Sequence, residues 1–323
     1  MPPNPPKVFY RHAPIRDLNT LAEVLELSRA QLDRMARLAD RSYRCSPQKK
    51  KDGSERITWD AHRKLKAAQH LIKERILAQV SYPLYLQGGI RDRENPRDYA
   101  RNAGIHAGSA CVINEDISDF FPSTTAVQVR AIWLRVFRFP PEVADCLTSL
   151  TTRHGEMPQG AKTSNHLANL VFWRDEHEFV RHLAVRGLSY SRLTDDITVS
   201  SRNALSRESK SEIVSNIFDF IKRNGYRPKY RKHAIFENNK RMLVNGLVVN
   251  ERPALPREER SAIRSLVQKM VISGGDSGHS PSRSHVSGKV GKVKRFHLRT
   301  GQLLSEKIRR AEMFQIPSPA PII

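Results

Sequence analysis

Cysteine is scarce in this sequence. Cys45, Cys111 and Cys146 are the only three in 323 residues, an odd number without CxxC spacing. A disulfide framework and a zinc knuckle are therefore excluded as the basis of folding, and a reducing cytoplasm is expected. Long apolar runs are missing as well: no segment approaches the roughly 18 uncharged residues of a membrane span. The start, MPPNPPKVFYRHAP, lacks the apolar stretch of a signal peptide, so no membrane partner is expected. Acidic residues are in deficit, 33 against 55 Lys plus Arg, which leaves a net charge of +22. Such a surplus selects a polyanionic partner, nucleic acid before an anionic membrane. No internal repeat is visible, and the length allows two or three compact units, each with its own core.

What is present reads as strands mixed with helices. NTLAEVLELSRAQLDRMARLADR gives two short helices, the second opened by Ser28 with Gln31 three residues on, the pattern of a capping box. SYRCSPQKKKDGSERITWD gives two strands around Asp52-Gly53, a dipeptide suited to hairpin turns. Apolar residues at Leu65, Ala68, Ile72, Ile76 and Val80 recur at helical spacing. SACVINEDISDFF is a strand with an acidic end, and GLSYSRLTDDITVS a hairpin. Helical patterns cover about 126–151, 164–184 and 206–224, with strands at 229–236 and 241–249 and helices at 256–272 and 299–313. The order predicts an α+β fold with a mostly antiparallel sheet, followed by a helical domain.

Two adjacent carboxylates, Asp195 and Asp196, sit in RLTDDITVS. Like charges side by side are tolerated in solvent, or around a divalent cation that offsets their repulsion. An isolated Asp-Asp is ordinarily a solvated turn. Here a second acidic site, Asp116 and Asp119, also ends a strand, and one sheet would bring Asp116 to Asp195. Oxygen ligands on two Mg²⁺ ions, about 3.5–4 Å apart, suit phosphoryl transfer.

These stretches resemble the palm motifs of bacterial reverse transcriptases. INEDISDFFPSTT (113–125) resembles the first, EMPQGAKTSNHLANL (156–170) the second and YSRLTDDITVS (190–200) the third. RNAGIHAG (101–108) and LVNGLVVN (243–250) resemble motifs of the retron type within that family. The pattern departs at Leu193 for tyrosine, Thr194 for alanine, Asn165 for proline and Asn245 for threonine. None of these is a metal-binding carboxylate. The resemblance implies a right-hand polymerase: a helical extension over 1–42, fingers over 43–108, and a palm over 109–250 with inserted fingers helices near 126–155. A helical thumb over 251–323 completes it.

By the same resemblance Asp116, Asp195 and Asp196 are the catalytic aspartates, with the Ile117 carbonyl as a further ligand for two Mg²⁺, or Mn²⁺. Phe121 takes the place of the sugar gate, with a core aromatic as the alternative. Gln159 and Gly160 face the incoming nucleotide. Lys50, Lys51 and Arg56 would hold its triphosphate, if they are not ordinary hairpin lysines and arginine. Lys232 would protonate pyrophosphate or track phosphates. Asn102 and His106 are either a structural pair or RNA contacts, and Asn245 and Gly246 stand in the motif near the thumb. Lys289, Lys292, Lys294, Arg295 and Arg299, around Phe296 and His297, suit backbone contacts and stacking on RNA.

The implied activity is RNA-directed DNA synthesis on a structured noncoding RNA, using deoxynucleoside triphosphates. Retron kinship adds priming from an internal 2′-hydroxyl, a branched RNA–DNA product and an effector protein in phage defence. The rival expectations are an intron-type or diversity-generating reverse transcriptase, and an RNA-binding scaffold without turnover. The intact carboxylates speak against the scaffold.

Overall fold

A computed structural model describes residues 7–49, 53, 55–272 and 282–313; Lys50 and Lys51 lie outside them. The strands are β1 Phe9–Tyr10, β2 Tyr43–Lys49, β3 Glu55–Ala61, β4 Val80–Ser81, β5 Cys111–Asp116, β6 Leu188–Leu193, β7 Asp196–Ser201, β8 Ala234–Glu237, β9 Leu243–Val244 and β10 Leu247–Val248. β6, β7, β5 and β8 form, in that order, an antiparallel sheet. β2 and β3 make a separate hairpin, in the segment expected to form the fingers.

Strand periodicity divides this sheet into two faces. Tyr190, Arg192, Ile197, Val199 and Ile113 share one face by register, and it is buried in the main core. The other carries Ser191, Thr198, Ser200 and Asn114, and ends in Asp116 and Asp196, which pair across β5 and β7. Asp116 and Asp196 therefore project away from the main core.

That core also takes in Leu21, Leu25 and Leu32 from the N-terminal helices Leu18–Val24 and Arg29–Leu38, so the extension is part of the same packed body. Asp17 caps the first of its helices through Asn19 N and Thr20 N, and Ser28 with Gln31 forms the capping box expected for the second. The helix expected over 126–151 is two, Ala126–Arg135 and Pro141–Thr151, because Pro140 and Pro141 cannot continue the first and do open the second. Likewise 164–184 splits into Ser164–Leu170 and Glu176–Val185. The strand expected over 241–249 folds as the hairpin β9–β10. Its turn residues Asn245 and Gly246 have φ of 49° and 78°, which suits the Asn-Gly turn of a two-residue hairpin.

A second core joins the C-terminal helices Arg257–Ile272, Arg283–Phe296 and Leu298–Met313, in the segment expected to form the thumb, to the helix Tyr99–Ile105 and the β9–β10 hairpin. Val286, Val290 and Val293 seat the middle thumb helix. The sequence did not predict that helix, since Gly288 and Gly291 lower its propensity.

Candidate active site

Leu193 pairs with Asp196, so β6 and β7 are joined by a two-residue turn, Thr194-Asp195. Thr194 has φ 63°, a region that strains a β-branched residue and persists only where the surroundings impose it. The surroundings here are unusually close. Gln87 N donates to Arg192 O at 2.8 Å and Arg192 N to Tyr85 O at 2.8 Å. A Cβ on Gly88 would come 2.5 Å from Thr194 Oγ1 and 2.8 Å from its N. Only glycine lets the chain run this near the turn.

Arg192 secures the turn from within. All five of its N–H donors are used: Nε and Nη2 on Glu176 at 2.6 and 2.9 Å, Nη1 on Ala168 O and Thr194 O, and Nη2 on Asn169 O. Tyr190 Oη donates to the same Glu176 at 2.8 Å. Burial disfavours the guanidinium charge, but Glu176 outweighs it and raises the pKa. One buried cation thus connects the turn to the helices Ser164–Leu170 and Glu176–Val185 and the segment between them.

Asp116, 2% exposed, stands at the end of β5. Ile117 N donates to Asp195 O at 3.2 Å, which ties the two acidic segments together. Asp116 Oδ2 accepts from the Lys232 ammonium, and Lys229 Nζ lies 3.7 Å from Oδ1. Desolvation lowers the Lys232 pKa, but the hydrogen bond and charge of Asp116 prevail and raise it. Desolvation, then the charge of Asp116, raises the pKa of Asp195; desolvation, then Asp195 and Asp116, lifts Asp196 to about 7.

Among the described residues no three His, Cys, Asp or Glu side chains are already gathered as a metal cluster. The donors nonetheless fit a hard cation. Asp116 Oδ1 is buried without a hydrogen-bond partner, and the raised proton affinity of both neighbouring carboxylates marks a place where positive charge is wanted.

A cleft of about 320 Å³ opens beside Asp195, lined by Arg56, Trp59, Phe121, Gln159 and Lys229 among others. A second cavity, about 550 Å³, shares this wall and adds Arg44, Gly160, Asn165 and Thr194. Gln159 O accepts from Trp59 N at 2.7 Å. Gly160, at φ 102°, lies so close to β3 that a Cβ would sit 3.3 Å from Thr58. The second-motif loop is therefore locked to the fingers hairpin. Phe121 is 8% exposed and packs edge-on to Phe120 at 5.8 Å; its ring belongs to the core and also walls both cavities.

Other expectations need correction. Asn102 and His106 are completely buried, which supports the structural role of the two alternatives. His106 bridges Ser200 Oγ at 2.8 Å and Ser191 Oγ at 2.7 Å, pinning two strands of the sheet. Asn102 donates to Asn245 Oδ1, so Asn245 also serves the fold, while Gly246 is left at the exposed tip. In the thumb cluster Lys292 is paired with Glu259 and Arg295 with Asp98, each at 2.6 Å. Lys289, Lys294 and Arg299 are exposed. Residues that sequence reasoning misses include Lys229, Trp59 and Arg153, whose guanidinium lies 3.5 Å from the Trp59 ring centroid. Lys229 stands three residues before Lys232 in the same basic stretch. Arg192, with Glu176, is signalled only by a charge at an inward strand position.

No protein-family model matches the chain. The retron Se72 reverse transcriptase of Salmonella heidelberg (strain 579083-10) is 33% identical over 300 residues, 90% of this chain and 78% of that protein. The retron Ec48 and Ec86 reverse transcriptases of Escherichia coli are 31% and 27% identical, over 81% and 85% of this chain and 66% and 82% of their own. Among solved structures, telomerase from Candida albicans overlaps at a TM-score of 0.41 and 9% identity, over 64% of this chain and 40% of that one, too slight to bear on the argument. With the acidic turn, its cleft and this kinship together, the chain belongs to the retron reverse transcriptases and is an RNA-directed DNA polymerase.

Proposed function

We propose that the chain copies part of a structured noncoding RNA into DNA from deoxynucleoside triphosphates, with two Mg²⁺ ions held by Asp116, Asp195, Asp196 and the Ile117 carbonyl. The observation that carries this is the pairing of Asp116 with Asp196 across the sheet, with Asp195 in the turn beside the cleft. Bound there, Mg²⁺ or Mn²⁺ would supply a more acidic attacking hydroxyl and charge neutralisation at the pyrophosphate.

The chain's own groups do the rest. Arg56 lines the same two cavities as Asp195 and would hold the triphosphate. Gln159, held by its backbone to Trp59, walls the nucleotide site with Phe121. Lys232 holds a proton beside Asp116, in place for a pyrophosphate oxygen. Retron kinship supports the finer readings: the RNA as its own template and primer through a 2′-hydroxyl, a branched product, and an effector protein in phage defence. The free state of Cys45, Cys111 and Cys146 fits a cytoplasmic setting.

The test is to sequence the nucleic acid that co-purifies with the chain and to assay extension with and without Mg²⁺. One abundant RNA joined to DNA through a 2′ linkage is the expected species. Linear DNA alone, or no synthesis, would overturn the reading.

A further inference from the structure

A second concave surface lies apart from the catalytic cleft and shares no lining residue with it. It is built from β1, the end of the helix Ala126–Arg135 and the segment between Leu170 and Glu176, and encloses about 430 Å³. Lys7, Arg135, Arg138 and Arg174 line it, all exposed, and no acidic residue does. Of the nearby carboxylates, Asp175 pairs with Arg223 at 3.3 Å, and Glu178 pairs with Arg181 at 2.7 Å while also reaching His177 Nε2 of the lining at 3.4 Å.

Aromatic surface accompanies the charge. Phe9 is 54% exposed, a costly placement for a phenyl ring on an otherwise packed strand. Trp173 is half-buried, with the Arg174 guanidinium 5.3 Å from its ring centroid. At the base is His177, 7% exposed. Neither of its ring nitrogens has a hydrogen-bond partner, although Nε2 stands 3.4 Å from Glu178 Oε1. With Nε2 at ion-pair distance from Glu178, the buried Nδ1 is the open atom, and its desolvation cost is one a ligand would relieve.

A lining with four basic and no acidic residues selects a polyanion. Flat rings beside them select bases, since stacking on aromatics and phosphate contacts from arginine are how single strands are held. The open Nδ1 of His177 adds a group for a base edge or a 2′-hydroxyl. A membrane surface would need a broader apolar face than one phenylalanine and one half-buried indole.

We propose that this surface binds a single-stranded stretch of RNA outside the catalytic cleft, with phosphates on Arg135, Arg138 and Arg174 and bases against Phe9 and Trp173. The proposal rests on the RNA-copying reading only in supposing that RNA is the resident polyanion. A template RNA longer than the cleft would then be held at two places, one reactive and one anchoring.

The experiment uses the full chain and a U12 RNA containing 4-thiouridine, irradiated and mapped by peptide. Cross-links are expected within residues 7–11 or 173–177 as well as in the cleft. The triple variant Arg135→Gln, Arg138→Gln, Arg174→Gln should lose the first set and keep the second. It should also bind U12 about tenfold more weakly at low salt, with a shallower salt slope. Phe9→Ala, a change at an exposed position, should weaken the same cross-links without unfolding. Extension of a short primer–template should be unchanged in both variants. Cross-links confined to the cleft, or a triple variant with unaltered affinity and salt slope, would overturn the proposal. Failure of the wild-type chain to extend any primer would instead count against the polymerase reading, because the cross-link map does not depend on synthesis.

Discussion

Arg192 and Glu176 form an ion pair sealed inside the palm, with the arginine 0% and the glutamate 3% exposed. It joins the strand leading to the catalytic turn to the helices beneath it. The pair serves position more than stability, because removing two charges from water costs about what their attraction returns.

Breaking the pair on one side should therefore be severe. Arg192→Met or Glu176→Gln should cost about 3–5 kcal/mol in urea unfolding. The double change Arg192→Met with Glu176→Leu should cost clearly less than the sum of the singles. In the folded fraction, counted by active-site titration, the Mg²⁺ concentration giving half-maximal synthesis should rise, because the Asp195 turn has lost its tether. A change in folded fraction alone, with Mg²⁺ dependence preserved, would assign the pair to the core only.

Asp195→Asn separates chemistry from folding. It removes one charge from the proposed metal site, so DNA synthesis should fall at least a hundredfold, about 3–4 kcal/mol in the barrier. In Mg²⁺-free buffer the same variant should melt higher than the parent chain, since the repulsion with Asp116 and Asp196 is relieved. Near-normal synthesis would reduce the acidic turn to a surface feature.

The raised carboxylates set a pH dependence whose sign is unusual for aspartate. Without metal, the folded chain binds more protons than the unfolded one between the ordinary 3.8 and about 7 for Asp196. Stability from this group is therefore present at low pH and lost as pH rises through that window. Mg²⁺ needs the ionised form, so its effect on the melting temperature should be larger near pH 8 than near pH 5.5. Calorimetry at the two pH values, with and without Mg²⁺, decides it.

Phe121 should show two effects at once. Phe121→Ala should cost about 3 kcal/mol or more from poorer packing, and should let ribonucleotides into the product. Phe121→Leu, which keeps most of the volume, should fold well and isolate the effect on sugar choice. Full selectivity for deoxynucleotides in the leucine variant would place the gate elsewhere.

In the thumb, ion pairing divides the basic cluster. Neutralising Lys289, Lys294 and Arg299 together should flatten the salt dependence of RNA binding, by about 0.7–0.9 in slope for each phosphate that no longer meets a cation. Neutralising Lys292 and Arg295, which are already paired with Glu259 and Asp98, should alter it less. Equal effects would mean that these pairs open when RNA binds.

The chemistry was more legible than the architecture around it. Strand periodicity and paired aspartates announce themselves locally, and so does Ser28 with Gln31, whereas the turn at Asn245-Gly246 lies inside what reads as one strand over 241–249. What sequence could not give was the partner of a polar residue. His106 reads equally well as an RNA ligand until Ser191 and Ser200 are placed around it. The strained Thr194 is unreadable without Gly88, which is far from it in sequence. The helix Arg283–Phe296 owes its existence to three valines buried by other helices, a tertiary effect that overrides its glycines.

The two cores meet at one strand. Ile113 of β5 belongs to the fingers–palm core and its neighbour Val112 to the thumb core, so the strand ending in Asp116 is a partition with a different compartment on each side. A body partitioned this way has reason to come apart in stages. Heating should melt the thumb compartment first, as a separate calorimetric transition that leaves the fingers–palm body intact. Heat damage should then begin with loss of grip on nucleic acid, before the acidic turn loses its shape.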